Sequence, residues 1–337
     1  MITPIASPWE SDLWQSELKL AIRSSRSLLK TAGLACDSAY RPDDFPVLVP
    51  RGFAAKIRSG DAEDPILKQV LATPEEAEEA AGFIRDPLNE TTDTFNPTPA
   101  LLKKYAHRAL LVTTPACAIN CRYCFRRHFP YDQHRPAVAK DVIEAIIKDT
   151  TLTEIILSGG DPMLLSDAAL AKLYGQLAVV GHLKRIRIHS RLPIVLPQRM
   201  TTELLATFKN SHLPTIMVVH ANHANELDAN TQRAFNALKA AGVTLLNQSV
   251  LLKGVNDHAS VQCTLAEKLF DQGVLPYYLH MPDKVAGTHH FFVADRQATE
   301  IYQDMQASLP GYLLPKMVRE VPGKAAKTQL ISITHEA

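Results

Sequence analysis

Cys117-Ala-Ile-Asn-Cys121-Arg-Tyr-Cys124 places three cysteines close together in the chain. Iron–sulfur clusters are held by cysteine thiolates, normally four of them. This segment supplies three, and the other two cysteines, Cys36 and Cys263, stand alone. One iron of a 4Fe-4S cluster bound here would lack a protein ligand and would be open to a small molecule. Such an arrangement is typical of catalysis rather than of electron storage.

A zinc ion is the alternative occupant of this motif. A structural zinc site generally takes four protein ligands, and His128 is the candidate for the fourth. We interpret the motif as a 4Fe-4S site, with zinc, or cysteines buried in a core, as the alternative.

Composition and charge favour a cytoplasmic enzyme that acts on a small molecule. The chain has 337 residues, 46% apolar and 21% charged, which is enough for a large core. With 36 basic and 35 acidic residues, no overall field attracts nucleic acid or an anionic membrane. Five cysteines, three of them clustered, do not form a disulfide framework. The start of the chain lacks a basic segment followed by an apolar one, and no apolar run has transmembrane length.

The first 104 residues show helical patterns without a regular alternation of strand and helix. The spacing predicts helices over residues 17–34 and 73–81, and the second begins with Thr-Pro and two glutamates, as helix N-termini often do. A Pro-rich connector follows at residues 93–99. We predict an N-terminal helical extension, which either forms a layer on the rest of the chain or offers a surface to a partner.

Residues 105–337 instead alternate short apolar runs with amphipathic segments. The six runs lie at residues 109–113, 154–157, 185–188, 214–219, 243–246 and 275–279, with helical patterns at 138–149, 168–179, 231–241 and 261–272. Repeated βα units of a parallel sheet require this order. It predicts an α/β fold, either a partial (β/α)6 TIM-like barrel or an open doubly wound sheet. In both, catalytic groups belong at the C-terminal ends of the strands.

Polar and glycine-rich segments follow these runs, as that rule requires. After the cysteine motif they are Ser158-Gly-Gly-Asp-Pro162, His189-Ser-Arg191, His220-Ala-Asn-His223, Asn247-Gln-Ser249 and His280-Met-Pro-Asp283. Each alone also fits a tight turn or a structural histidine, whereas the whole series predicts one convergent site.

The cysteine motif, with Tyr123 before its third cysteine, and the Gly159-Gly160 pair resemble the radical S-adenosylmethionine (SAM) enzymes. Longer segments narrow the resemblance to the lysine 2,3-aminomutase family over roughly residues 100–330. They are Cys121-Arg-Tyr-Cys-Phe-Arg-Arg-His-Phe-Pro130, Leu157-Ser-Gly-Gly-Asp-Pro162, Pro193-Ile-Val-Leu-Pro-Gln-Arg199, Leu246-Asn-Gln-Ser-Val-Leu-Leu-Lys-Gly-Val-Asn-Asp257, Pro276-Tyr-Tyr278 and Glu320-Val-Pro-Gly-Lys-Ala-Ala-Lys-Thr328. The resemblance favours the partial barrel. It implies an isomerase that uses a 4Fe-4S cluster, SAM, pyridoxal 5′-phosphate (PLP) and an external electron donor to convert L-lysine to β-lysine.

The family's sites, carried over residue by residue, imply four ligand sets. The cluster would be held by Cys117, Cys121 and Cys124. SAM would be bound by Tyr123, Ser158, Gly159, Gly160, Asp161 and Ser190. PLP would be attached to the catalytic Lys327, with Lys324 as the alternative, and contacted by Lys104, Tyr105, Arg108 and Gln248. The substrate carboxylate would meet Arg126, and its distant ammonium would meet Asp283 and Glu320.

Departures from the family pattern indicate a subgroup. Glu320 stands where free-lysine enzymes have aspartate, His258 replaces a zinc-binding cysteine, and the family's zinc-binding C-terminal extension is absent, so we expect no structural zinc. The segments at 126–131 and 190–193 most resemble the aminomutases of elongation factor P modification, whose (R)-β-lysine a separate ligase attaches to the factor. A free-lysine catabolic aminomutase, a PLP-independent radical SAM enzyme and an iron–sulfur redox or sensor protein are the alternative functions.

Overall fold

A computed structural model describes residues 13–36, 39–40, 42, 45–90, 98, 100–130 and 140–330. Residues 1–12, the connector at 93–99 except Thr98, Tyr131, and residues 138–139 of the predicted helical pattern lie outside this part of the chain. The described part contains a sheet of nine strands in sequence order. The strands are β1 (Leu101–Tyr105), β2 (Arg108–Thr114), β3 (Glu154–Gly159), β4 (Arg185–Ser190), β5 (Thr215–His220), β6 (Thr244–Val250), β7 (Leu275–His280), β8 (Lys316–Arg319) and β9 (Thr328–Gln329).

The sheet is parallel from β2 to β8, and β1 and β9 are antiparallel strands at its two edges. It therefore has free ends at β1 and β9 and is not closed. The six predicted strands are β2 to β7, and the predicted partial barrel is confirmed. The sequence missed β8 and the two edge strands because each is short and lacks a long apolar run.

Helices connect the parallel strands. They are α5 (Lys140–Lys148), α6 (Asp167–Ala178), α7 (Leu192–Val195), α8 (Thr202–Asn210), α9 (Ala229–Ala240), α10 (Ala259–Asp271) and α11 (Asp295–Ser308). Four of them, α5, α6, α9 and α10, lie where the sequence predicted helices, whereas α7, α8 and α11 were not predicted. Polar caps fix several starts: Ser166 accepts from the Ala169 N–H and Thr201 from the Leu204 N–H. Within the described residues, no helix is both long and apolar enough to cross a membrane.

Short helices make up much of the N-terminal part. They are α1 (Leu13–Lys19), α2 (Ser25–Thr31), α3 (Arg51–Ala54), α4 (Pro65–Lys68) and the 3₁₀ turn Pro74–Ala77. The helical pattern over residues 17–34 is broken, because Ile22 forms a β-bridge with Val49 and Ser24 starts α2 as its cap. The helix predicted over residues 73–81 is only the 3₁₀ turn, since Glu78 has extended backbone angles.

One hydrophobic core joins the N-terminal helices to the barrel. Trp14, Leu28 and Phe53 belong to the same buried cluster as Ile155 and Leu173. The sheet begins at Leu101, and a domain boundary at residue 104 stays a prediction.

Candidate active site

A cavity of about 280 Å³ lies within the curve of the sheet. Every predicted site residue lines it. These are Lys104, Tyr105, Arg108, Cys117, Cys121, Tyr123, Cys124, Arg126, Ser158, Gly159, Gly160, Asp161, Ser190, Gln248, Asp283, Glu320 and Lys327. Segments far apart in the chain therefore converge at one place, while the ligand assigned to each residue stays a prediction.

The cysteine loop follows β2 and brings three free thiols to the cavity wall. Burial raises the pKa of Cys124 to about 11 and that of Cys117 well above its usual value. Thiolates in such a place need a compensating cation. Arg191 is such a cation, since its Nη1 donates to Cys121 Sγ at 2.7 Å. These buried thiols fit a positively charged cluster of irons.

The arrangement of the side chains fits a 4Fe-4S cluster better than a single metal ion. In the described part of the chain, no three His, Cys, Asp or Glu side chains lie close enough to hold one ion. A 4Fe-4S cluster takes each thiolate on a different iron, so its ligands need not meet at a point. His128, the alternative fourth ligand, does not line the cavity, and its Nε2 lies 3.1 Å from the Ala286 carbonyl oxygen.

Gly159 and Gly160 bring the end of β3 against the start of the cysteine loop. Gly159 has φ +112°, and a Cβ on Gly160 would lie 2.1 Å from the Ala116 carbonyl oxygen. The Gly160 N–H donates to the Thr114 carbonyl at 2.7 Å. The missing side chains thus have a structural use beside the predicted approach to SAM, because no side chain fits between these two backbones.

Asp161 ties β3 to the end of β4. Its carboxylate accepts from Ser190 Oγ at 2.8 Å, from the Arg191 N–H at 2.8 Å and from the Met163 N–H at 3.1 Å. Burial raises its pKa to about 6, while these hydrogen bonds favour the charged form. The carboxylate therefore fixes the neighbouring loops rather than standing free.

Arg126 has a buried carboxylate partner that sequence reasoning missed. Its Nε donates to Glu90 Oε2 at 2.7 Å and its Nη2 to Oε1 at 2.9 Å, while Nη1 lies 3.3 Å from Ser158 Oγ. Lys104 Nζ donates to the same Glu90 at 3.0 Å. Burial raises the pKa of Glu90, but Arg126 and Lys104 outweigh it and hold this pKa at about 2. An isolated glutamate in a loop gives no signal of such a role in the sequence.

Lys327 lies beside a carboxylate in the same cavity. Its Nζ contacts Glu320, whose other oxygen accepts from Tyr105 OH at 2.7 Å. The Arg108 guanidinium stacks on the Tyr105 ring, with its central carbon 4.1 Å from the ring centre. Lys324, the alternative attachment point, is exposed and does not line the cavity.

Asp283 and Glu320 differ in electrostatic state. Burial raises the pKa of Asp283 to about 7, although Lys327 lowers it. Burial also raises the pKa of Glu320, but Lys327 and Tyr105 outweigh that effect and lower it. Asp283 is thus poised to gain or lose charge near neutral pH, whereas Glu320 is ionised and already paired.

The cavity is also lined by polar side chains to which the sequence analysis assigned no ligand. They are Arg187, His189, Arg191, His220, Tyr277, Tyr278 and His280. The three histidines and Arg191 lie in the polar strand-end segments that the sequence predicted to converge on one site, so only their ligands were left unassigned. Arg187 lies on the cavity side of β4 within the alternating segment Arg185–Ser190, and this alternation was the available signal.

Residues 111–261 match the family model of the radical SAM superfamily. An L-lysine 2,3-aminomutase of Haemophilus influenzae is 44% identical over 95% of this chain and 96% of its own length. The Escherichia coli protein of that name is 46% identical over 85% of this chain and 83% of its own length. That of Clostridium subterminale is 38% identical over 83% of this chain and 67% of its own. The chain belongs to the radical SAM lysine 2,3-aminomutase family, a family of isomerases.

Proposed function

We propose that this enzyme converts L-lysine to (R)-β-lysine by moving the amino group from Cα to Cβ. The observation that carries the proposal is one cavity that holds three clustered thiols, a lysine able to bind PLP, and both carboxylate and guanidinium groups for an amino acid. Membership of the radical SAM superfamily implies a 4Fe-4S cluster and SAM. We infer in addition that PLP is the second cofactor and that the product has the R configuration.

The residues of this chain fit those groups. Cys117, Cys121 and Cys124 would hold three irons and leave one open for SAM. Lys104, Tyr105, Arg108 and Gln248 line the same cavity as Lys327, and the two cations among them, Lys104 and Arg108, are suited to pair with a phosphate. When bound, SAM supplies a radical that removes an unactivated hydrogen, and PLP carries the migrating nitrogen. The protein must place these groups together and keep water out.

Charge placement supports a free amino acid as substrate. Arg126 is held by Glu90 through Nε and Nη2, and its Nη1 lies near Ser158 in the cavity wall. A guanidinium fixed in this way is suited to a substrate carboxylate. Burial of the distant ammonium of lysine requires a carboxylate partner, and Asp283 can supply one from the cavity wall. A peptide-linked lysine has no free carboxylate for Arg126.

The link to elongation factor P rests on the sequence segments at 126–131 and 190–193. We infer that the product is (R)-β-lysine for the ligase that modifies this factor, and that the enzyme works in the cytoplasm with an external electron donor. All five cysteines are free, as a reducing compartment would keep them.

The deciding assay offers two substrates to the anaerobically reconstituted enzyme with SAM and reductant. One arm contains free L-lysine and the other contains unmodified elongation factor P. Chiral mass spectrometry then resolves the β-lysine enantiomers. We expect (R)-β-lysine from free lysine; product formed only on the intact factor would overturn the free-lysine proposal.

A further inference from the structure

The N-terminal part of the chain touches the cysteine loop on the side that faces away from the cavity. The Asn120 N–H donates to the Leu48 carbonyl at 3.0 Å, and Asn120 Nδ2 to the Pro46 carbonyl at 2.8 Å. The Arg122 N–H donates to the Gln69 carbonyl at 2.9 Å. These bonds fix the backbone of the loop between its first and third cysteines.

Glu76 is the charged centre of this contact. Its carboxylate accepts from Arg122 Nε at 2.7 Å, is also contacted by Arg122 Nη2, and accepts from Arg127 Nη2 at 2.7 Å. Both guanidinium carbons lie 4.7 Å from the centre of the Phe45 ring. Arg122 is completely buried and does not line the cavity, although its neighbours Cys121 and Tyr123 do. One carboxylate therefore anchors two arginines that lie on either side of Cys124 in the sequence.

Gln69 reaches a ligand cysteine through one intermediate side chain. Its Oε1 accepts from Arg191 Nη2 at 2.8 Å and from Asn222 Nδ2 at 3.0 Å. Its Nε2 donates to Glu226 Oε1 at 3.1 Å, and the other oxygen of Glu226 accepts from Arg191 at 3.0 Å. The same arginine contacts Cys121 Sγ. Partners of this kind orient the groups that bind a metal.

We propose that Glu76 and Gln69 are positioning residues for the iron–sulfur cluster, and that the N-terminal extension thereby forms part of the catalytic apparatus. The proposal rests on the three-cysteine cluster of the proposed function. Two independent contacts, one to the arginines beside the cysteines and one to Arg191, hold Cys121 and Cys124 in place before the cluster binds. The N-terminal extension is then needed to hold the cluster, whether or not it also binds a partner.

The test measures how fast the reconstituted full-length protein loses iron to a chelator. The variants are Glu76→Gln, which keeps the size of the side chain but removes its charge, and Gln69→Met, which removes the amide contacts without removing a charge. Glu79→Gln, a change of the same type at an exposed position, is the matched control. The electron paramagnetic resonance signal of the reduced cluster is recorded alongside. Thermal melting of the cluster-free proteins is used to choose an assay temperature at which the wild type and all variants are folded.

Outer partners of metal ligands typically change metal affinity about 10- to 100-fold. We expect Glu76→Gln and Gln69→Met to release iron at least about tenfold faster than wild type, while Glu79→Gln releases it at the wild-type rate. Release at the wild-type rate from both variants would overturn the proposal. Failure of both cluster-free variants to fold at any temperature at which the wild-type protein is folded would also overturn it, since the two side chains would then be merely structural. If the wild-type protein holds no iron, the proposed function itself fails.

Discussion

Lys324 and Lys327 are separated by two alanines, and only their surroundings distinguish them. Lys327 lines the cavity and contacts Glu320, whereas Lys324 is exposed. We predict that Lys327→Ala loses covalently held PLP, while Lys324→Ala retains it. Borohydride reduction followed by peptide mapping measures the attachment. A label on Lys324 in the wild-type protein would contradict the assignment.

The cysteines allow a similar comparison within one chain. Each clustered thiol is expected to bind a different iron, so the loss of one leaves a second iron without a protein ligand. Changing Cys117, Cys121 or Cys124 to Ala should abolish iron retention and reductive SAM cleavage. Cys36→Ala and Cys263→Ala should change neither. Loss of the cluster in Cys263→Ala would show that the ligand set is wrong.

Asp283 should control both lysine selection and the pH profile. Its pKa of about 7 leaves it largely protonated below neutral pH, and the charged form is the one that binds an ammonium. We therefore expect kcat/KM for lysine to rise with pH through about 7. Asp283→Asn should remove this rise and increase KM about 10- to 100-fold, since a hydrogen bond to a charged group contributes about 1.5–3 kcal/mol.

Glu320→Gln is the matched control for this variant. Because Glu320 is paired with Lys327 and Tyr105, its loss should raise the KM for lysine less than the loss of Asp283. The folded pKa of Asp283 lies above its unfolded value of about 3.9, so ionisation of this group destabilises the fold as pH rises from about 4 to 7. Asp283→Asn should therefore melt no lower than wild type at pH 8. A larger KM effect from Glu320→Gln would reverse the assignment.

Motif residues were predictable from the sequence, and their partners were not. The cysteines, the glycine pair and Asp283 follow apolar runs, so the strand-end rule places them together. Glu90 and Gln69 lie in irregular segments, and their role depends on a fold that brings them to Arg126 and Arg191. No local pattern encodes such long-range pairs.

At the scale of elements, strands were predicted better than N-terminal helices. The parallel strands carry continuous or alternating apolar residues because helices cover the sheet. The pattern at residues 17–34 was interrupted by a tertiary contact, the bridge between Ile22 and Val49. Such a contact overrides helix propensity without altering the hydrophobic period.

The close approach of β3 to the cysteine loop should make stability and iron content sensitive to a side chain at Gly160. Gly160→Ala would place a methyl group 2.1 Å from the Ala116 carbonyl oxygen, so the two backbones must separate. We expect a loss of about 1–3 kcal/mol in the free energy of unfolding, from overpacking, together with reduced iron content. Thermal melting and iron analysis measure the two effects.

Gly175→Ala is the control, because no atom of the described residues lies within 4 Å of a Cβ added at this position in α6. Removal of a helical glycine there should stabilise the protein by about 0.5–1 kcal/mol. Equal melting temperatures for Gly160→Ala and wild type would show that the junction is looser than the structure indicates.

At the scale of the whole molecule, the partial barrel explains why one cavity can serve several ligands. The cysteine loop follows β2, and Lys327 lies next to β9 at the other end of the sheet. Curvature brings both to the same space. The single core shared by the N-terminal helices and the barrel keeps that geometry together. The sequence predicted the barrel, but the placement of the N-terminal helices against the cysteine loop required the structure.

The proposed function requires that a radical formed at the cluster removes hydrogen from Cβ of lysine in this cavity. The most direct measurement supplies the reconstituted enzyme, SAM and reductant with L-lysine that carries deuterium at Cβ. Mass spectrometry then follows the deuterium in 5′-deoxyadenosine and in β-lysine. We predict deuterium in 5′-deoxyadenosine and, transferred back from it, at Cα of β-lysine, whereas the deuterium that stays at Cβ is expected for any route. 5′-Deoxyadenosine free of deuterium would disprove removal of hydrogen from Cβ.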